Sequence, residues 1–241
     1  MKPIGKKFDY EKWLARYEKL RPIPEEVARR KKAEMEREKG RFVFALEGVL
    51  IRQFGLNYVK EHTREKTISL PEIEKHIQAL YRYGSGACYL GNVGIGKTHV
   101  LLTIFIHLTW MEWIDYIKGH SYPNPTDFIE KICHFAYASD ICKHLESREK
   151  LKIAKYNFID DFGVEDADGN VMVGFDRYFE TIYRQGLGII LSSNCFQKDL
   201  ESRIGYKRIM SRIYEKCKYY ILPGMDLRRK VSGKLNLTWR N

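Results

Sequence analysis

The chain is poor in the residues that staple or metallate small proteins. Its five cysteines, Cys88, Cys133, Cys142, Cys195 and Cys217, are odd in number, widely spaced and form no CxxC pair. That supports neither a zinc ribbon nor a disulfide framework and makes a reducing cytoplasm the expected compartment. Seven histidines form no HExxH or comparable ligand set, so no structural metal is expected. The first residues, "MKPIGKKFDYEKW", are basic without a hydrophobic segment, which argues against secretion. The longest apolar run, "VLLTIFIHLTWMEWID", contains His107, Glu112 and Asp115, so it is expected to be a buried helix, with no membrane as partner.

Acidic residues are scarce at both ends. Residues 1–82 carry 20 basic and 13 acidic groups, residues 83–200 carry 11 and 15, and residues 201–241 carry 11 and 3, for a net charge of +11. Positive ends around a mildly acidic middle suit a polyanion, nucleic acid above all, although solubility alone would also account for them. With 241 residues the chain can bury one full core and a small appendage.

Residues 1–82 look helical, and the division expected is a partner-binding helical module over 1–82 followed by a second domain over 83–241. "PIPEEVARRKKAEMEREKG" places Pro24 in a first turn and is expected to end at Gly40. "RFVFALEGVLIRQFG" is a second, apolar helix stopped by Gly55. "SLPEIEKHIQALYRYG" offers Ser69 as N-cap with Glu72 three residues on. Without a catalytic cluster, these helices make either an adaptor that grips a partner or a wrapper on the main domain.

From Ala87 the pattern changes to strand, glycine-rich loop, helix: "ACYLG", then "GNVGIGKTHV", then "KTHVLLTIFIHL". That context turns a motif match into a candidate phosphate site. Gly91, Asn92, Val93, Gly94, Ile95, Gly96, Lys97, Thr98 and His99 are the expected binding residues. Backbone N–H groups from Asn92 to Thr98 surround a phosphate only where glycines allow the tight turn. Lys97 is placed to neutralise β- and γ-phosphate oxygens, and the Thr98 hydroxyl to ligate Mg²⁺. ATP and Mg²⁺ are therefore the expected ligands.

The acidic partner is "YNFIDDFGVE". Asp160 and Asp161 end a short buried strand, the end at which parallel sheets bind ligands. Asp160 is expected on the metal and Asp161 on the attacking water. "VGFDRYFETIYRQG" is a helix, "LGIILSSN" a strand ending in the polar cluster Ser192, Ser193 and Asn194, placed for a side chain to touch the γ-phosphate or the attacking water, "FQKDLESRIGYKRIMSRIYEK" helical and arginine-rich, and "CKYYILPG" a last strand.

Taken together, "GIGKTH", "FIDDFGVE", "LSSN", "SRIGYKRIMSRIYE" and "GMDLR" resemble, in order and spacing, AAA+ ATPases of the DnaC type, bacterial loaders of the replicative helicase. The resemblance runs from about Ala87 to Arg229 and touches the IstB-type transposition ATPases, which share the phosphate loop. It implies an α/β P-loop fold, a parallel sheet flanked by helices, with a small helical N-terminal module. It also implies an ATP-dependent loader that places a hexameric replicative helicase on single-stranded DNA as an ATP-dependent homo-oligomer. Asn194 looks like the sensor-one residue and Arg228 like the sensor-two arginine. Arg212 resembles the arginine finger that reaches a neighbouring subunit's ATP, with Arg208 as the fallback. Lys97, Asp161, Asn194, Arg212 and Arg228 are thus the implied catalytic set. Asp161 stands where many AAA+ proteins have Glu, which implies slow turnover, and the N-terminal module lacks the cysteine cluster of zinc-bearing loaders. An IstB-like helper that stimulates a transposase is the alternative. A small-molecule kinase and a non-hydrolysing DNA scaffold also remain open.

The aromatic stretch from Thr109 to Phe128 admits two uses. Trp110, Trp113 and Ile117 share a helical face that either stacks DNA bases or packs the core, and packing is preferred.

Overall fold

The computed structural model describes residues 25–54, 71–117, 124–163, 169–202 and 206–222. Two helices come first, α1 (Glu25–Phe54) and α2 (Pro71–Tyr83). The alternating part follows: β1 (Gly86–Leu90), α3 (Lys97–Ile117), α4 (Pro125–Ile132), β2 (Cys133–Tyr137), α5 (Ala138–Glu146) and β3 (Tyr156–Asp160). It continues through α6 (Gly169–Arg184), β4 (Gly188–Ser193), α7 (Gln197–Ser202), α8 (Tyr206–Lys216) and β5 (Cys217–Ile221).

The five strands form one parallel sheet in the order β2-β3-β4-β1-β5. β1, β3 and β4 are buried along their whole length, as strands covered on both faces are. Successive side chains point to opposite faces. Ala87, Tyr89, Tyr156, Phe158 and Ile190 therefore join one core, with α1 to α4. Cys88, Leu90, Ile159, Ile189 and Leu191 join the other, with α5 to α8. The chain leaves β1 through α3 and returns at the far edge in β2, so the strand order reverses beside β1. The crevice at such a reversal is where open parallel sheets bind ligands.

The parallel sheet and flanking helices are those the sequence predicts. Gly40, however, does not end a helix. α1 runs unbroken through it for 30 residues. A helical glycine costs only about 1 kcal/mol relative to alanine. Against that, Phe42, Leu46, Val49 and Leu50 are buried beyond it, and Arg41 reaches back across it to Glu38 at 2.9 Å. The proposed stops and caps at Pro24, Gly55 and Ser69 lie outside the described residues.

α3 is long and apolar enough, by length and composition, to cross a membrane. It is the central helix of the first core, with Leu101, Ile104, Phe105, Leu108 and Trp113 shut away from solvent. The tryptophan stripe packs there. Trp113 touches Phe42 of α1 and Phe128 of α4 at ring-centroid distances of 5.5 and 5.2 Å, and Trp110 touches Phe42 at 5.1 Å. α4 is held at its start by Asn124, whose side chain accepts the Thr126 N–H at 2.9 Å, with Pro125 in the first turn.

Candidate phosphate and metal site

The loop from Gly91 to Gly96 joins the carboxyl end of β1 to the first turn of α3. Its shape needs glycine. Gly91 has φ of 150°, and a Cβ there would lie 2.9 Å from the Leu222 carbonyl oxygen and 2.4 Å from Ile95 Cδ1. Gly94 and Gly96 also take positive φ, 80° and 93°. The outcome is an arch over a helix N-terminus, where N–H groups and the helix dipole both favour an anion.

Lys97 is folded inward under this arch, only 5% exposed. Its ammonium donates to the carbonyls of Gly91 at 2.8 Å and Asn92 at 2.7 Å. Those bonds satisfy a buried charge that would otherwise be costly. Asn92 and Val93 stand in solvent at the tip. His99 already belongs to α3, its carbonyl accepting the Thr103 hydroxyl at 2.9 Å.

The acidic strand end comes to the same place. Asp160 is completely buried. Its Oδ1 accepts from the Ser192 hydroxyl and from the Asp161 N–H, the latter at 3.1 Å. The Thr98 hydroxyl lies against the same carboxylate, while Oδ2 is buried without a well-formed hydrogen bond. Burial pushes this carboxyl above its ordinary range. The Ser192 and Thr98 hydroxyls oppose that shift, and the neighbouring Asp161 charge adds to it. A buried carboxylate with one open oxygen, beside a threonine hydroxyl, is a hard oxygen donor set that suits Mg²⁺.

Asp161 sits in the left-handed region with φ of 54°. That conformation costs a non-glycine residue about 1 kcal/mol or more, and strain of this kind is characteristic of working sites. It is held from two sides. The Asp161 N–H points to Ser192 Oγ at 3.2 Å, and its Oδ1 accepts from Asn194 Nδ2 at 3.2 Å. Lys97, Thr98, Asp160, Asp161 and Asn194 thus converge at the carboxyl ends of β1, β3 and β4.

The arginines do not join them. Arg212, with a side chain only 13% exposed, is bound to Asp176 and Glu180 of α6 in its own chain. Arg208, one turn earlier on α8, is 74% exposed and 3.5 Å from Asp176. Arg228 lies outside the described residues.

Ser192 was expected only as part of the polar strand tip beside Ser193 and Asn194, not as a partner of the two aspartates. Its signal was the pairing of "FID" beside "ILS": Ile159 lies opposite Leu191, so the next pair is Asp160 and Ser192.

No family model and no curated protein matches the chain. Solved structures do. DnaI aligns with a TM-score of 0.50 at 16% identity, over 68% of this chain and 94% of that one. The DnaC helicase loader aligns at 0.47 with 19% identity, over 66% and 93%. Domain III of the Thermotoga maritima replication initiation protein DnaA aligns at 0.48 with 19% identity, over 67% and 64%. What the chain shares with DnaI is the fold, a five-stranded parallel sheet flanked by helices.

Proposed function

We propose that the protein is a Mg²⁺-dependent ATPase that loads a replicative DNA helicase onto single-stranded DNA, with slow hydrolysis as its assembly and release switch. The ATPase part is supported by one convergence: the lysine-bearing arch, the Thr98 hydroxyl and the buried Asp160 meet at one end of the sheet. The loader part rests on the order of five motifs that resemble the DnaC type, carried on a fold shared with DnaI.

In this reading the loop N–H groups clasp the β-phosphate, and Lys97 turns from the carbonyls of Gly91 and Asn92 to the β- and γ-oxygens. Thr98 and Asp160 would hold Mg²⁺, which when bound neutralises charge on the phosphates. Asp161 orients the attacking water and accepts its proton, steadied by Asn194. The Asp161 side chain is shorter than glutamate, which fits slow turnover. Arg228 would contact phosphate within the subunit. Arg212 is the proposed finger across a subunit boundary, and to act it must leave Asp176 and Glu180. Arg208 reaches outward without breaking that pair. The free thiols, four of five buried, suit a reducing cytoplasm.

Lys97→Ala should abolish most ATP binding in calorimetry and, with it, ATP-dependent co-purification with a helicase hexamer. Full ATP affinity in this variant would defeat the nucleotide reading. Normal nucleotide binding with capture of a transposase, and none of a helicase, would replace the loader by the IstB-like alternative. Arg212→Ala and Arg208→Ala are compared in the same preparations. The finger is the residue whose loss stops hydrolysis, spares binding, and is rescued by mixing with an Asp161→Asn subunit. No rescue in either mixture removes the role from both.

A further inference from the structure

The tip of β4 is stitched to the turn after β3, and the stitching has a direction. Ser192 is wholly buried. A hydroxyl has one proton to give. The Asp161 N–H can only donate to Ser192 Oγ, at 3.2 Å, so the hydroxyl proton goes to Asp160 Oδ1. Asp160 Oδ1 also takes the Asp161 N–H at 3.1 Å. Both donors therefore fall on one carboxylate oxygen, and Oδ2 is left with none.

This asymmetry matters because a carboxylate plane is otherwise loosely set, its last torsion being broad. Two donors on Oδ1 fix the plane and with it the direction of Oδ2. The adjacent residue anchors the tip: Ser193 Oγ donates to the Phe162 carbonyl at 2.6 Å and accepts the Cys195 N–H at 3.0 Å. The Phe162 N–H in turn reaches the Ser192 carbonyl at 2.8 Å. Ser193 thus already supplies a mechanical stitch, while Ser192 alone among the two touches the carboxylate.

Resting on the nucleotide reading above, we propose that Ser192 is the positioning residue for the divalent cation, holding Asp160 so that its open oxygen and the Thr98 hydroxyl face one metal. Partners of this kind behind a ligand are worth about 10–100-fold in metal affinity. The same serine fixes the backbone of Asp161, so it couples the metal-facing carboxylate to the water-facing one.

Binding of a non-hydrolysable ATP analogue, measured by calorimetry across a Mg²⁺ series and in EDTA, tests this on the full chain. Ser192→Ala should raise the Mg²⁺ concentration for half-maximal binding by roughly 10-fold or more. Affinity in EDTA should stay near wild type, the urea midpoint should fall modestly as the loss of one buried hydroxyl requires, and Ser192→Thr, which keeps the hydroxyl, should recover much of both losses. An unshifted Mg²⁺ midpoint in Ser192→Ala, with Asp160→Asn strongly shifted, overturns the positioning role and leaves the nucleotide site standing. Equal losses in EDTA and Mg²⁺ reduce Ser192 to a stitch and also overturn it. A wild-type protein whose nucleotide binding ignores Mg²⁺ defeats the underlying site reading itself.

Discussion

The two faces of the sheet are built by different rules. The face under α5 to α8 is assembled from units adjacent in sequence, each strand followed by the helix that covers it. Phe162, Phe175, Phe179 and Tyr206 form its aromatic cluster, with ring centroids 5.2 to 6.0 Å apart. The opposite face has α3 at its centre, but its outer cover comes from α1 and α2, which precede the whole sheet. There Phe42 bridges to Trp110 and Trp113, across a sequence gap of about 70 residues. One face is local and the other is closed by a long-range graft. The N-terminal helices and the sheet share one continuous core on that grafted side.

The largest expected effect tests the graft. Trp113→Ala, at the point where α1, α3 and α4 meet, should cost about 3–5 kcal/mol in urea unfolding, the usual range for a buried tryptophan. It should also open α1 to limited proteolysis before the sheet unfolds. Trp113→Phe should cost much less, because the indole N–H is buried without an acceptor and its loss removes no hydrogen bond. If the alanine variant unfolds with α1 still protected until the end, the two faces are one cooperative unit and the contrast fails.

A smaller effect belongs to the local face. His134 on β2 is buried enough that its pKa is pushed down to about 4, desolvation being the main cause and the charges of Lys152 and His144 adding to it. Unfolded, it titrates near 6.5, so below that pH the unfolded chain binds the extra proton. Stability from this group is full above about pH 6.5 and is lost as pH falls toward 4, by roughly 3 kcal/mol in all. Urea midpoints at pH 7.5 and 4.5 should differ more in wild type than in His134→Gln. An equal difference in both would assign the acid sensitivity to other groups.

The smallest effect has the opposite sign. Gly40 sits mid-helix, and a Cβ added there would meet nothing within 4 Å. Gly40→Ala should stabilise by about 0.5–1 kcal/mol and raise Tm by a few degrees in calorimetry. A fall in Tm would mean that the glycine bends or packs in a way the straight helix does not require.

The same contrast explains what could be read in advance. The loop from Gly91 to Thr98, the acidic strand end and the polar tip at Asn194 were legible, because local chemistry dictates each. Ser192 was legible only as part of that polar tip, since its bond to Asp160 exists only once β3 and β4 lie side by side. β2 was hidden for a different reason: "CHFAY" is five residues long and follows α4 directly, with no glycine or proline to mark the junction. Gly40 misled because its local cost is real but smaller than the burial that follows it. Arg212 resembles a finger by motif, and its partners Asp176 and Glu180 lie on a helix about 30 residues away.

The unbroken course of α1 has a mechanical side. At 1.5 Å per residue the helix is about 45 Å long. Its later half packs into the core beside α3 and α4, with Phe42 against Trp110 and Trp113, while residues 29–34 are exposed. A stiff rod clamped at one end enlarges the movement of its seat in proportion to its reach. Since α3 is also the helix that starts at the phosphate loop, a tilt of a few degrees there sweeps the outer end of α1 through ångströms.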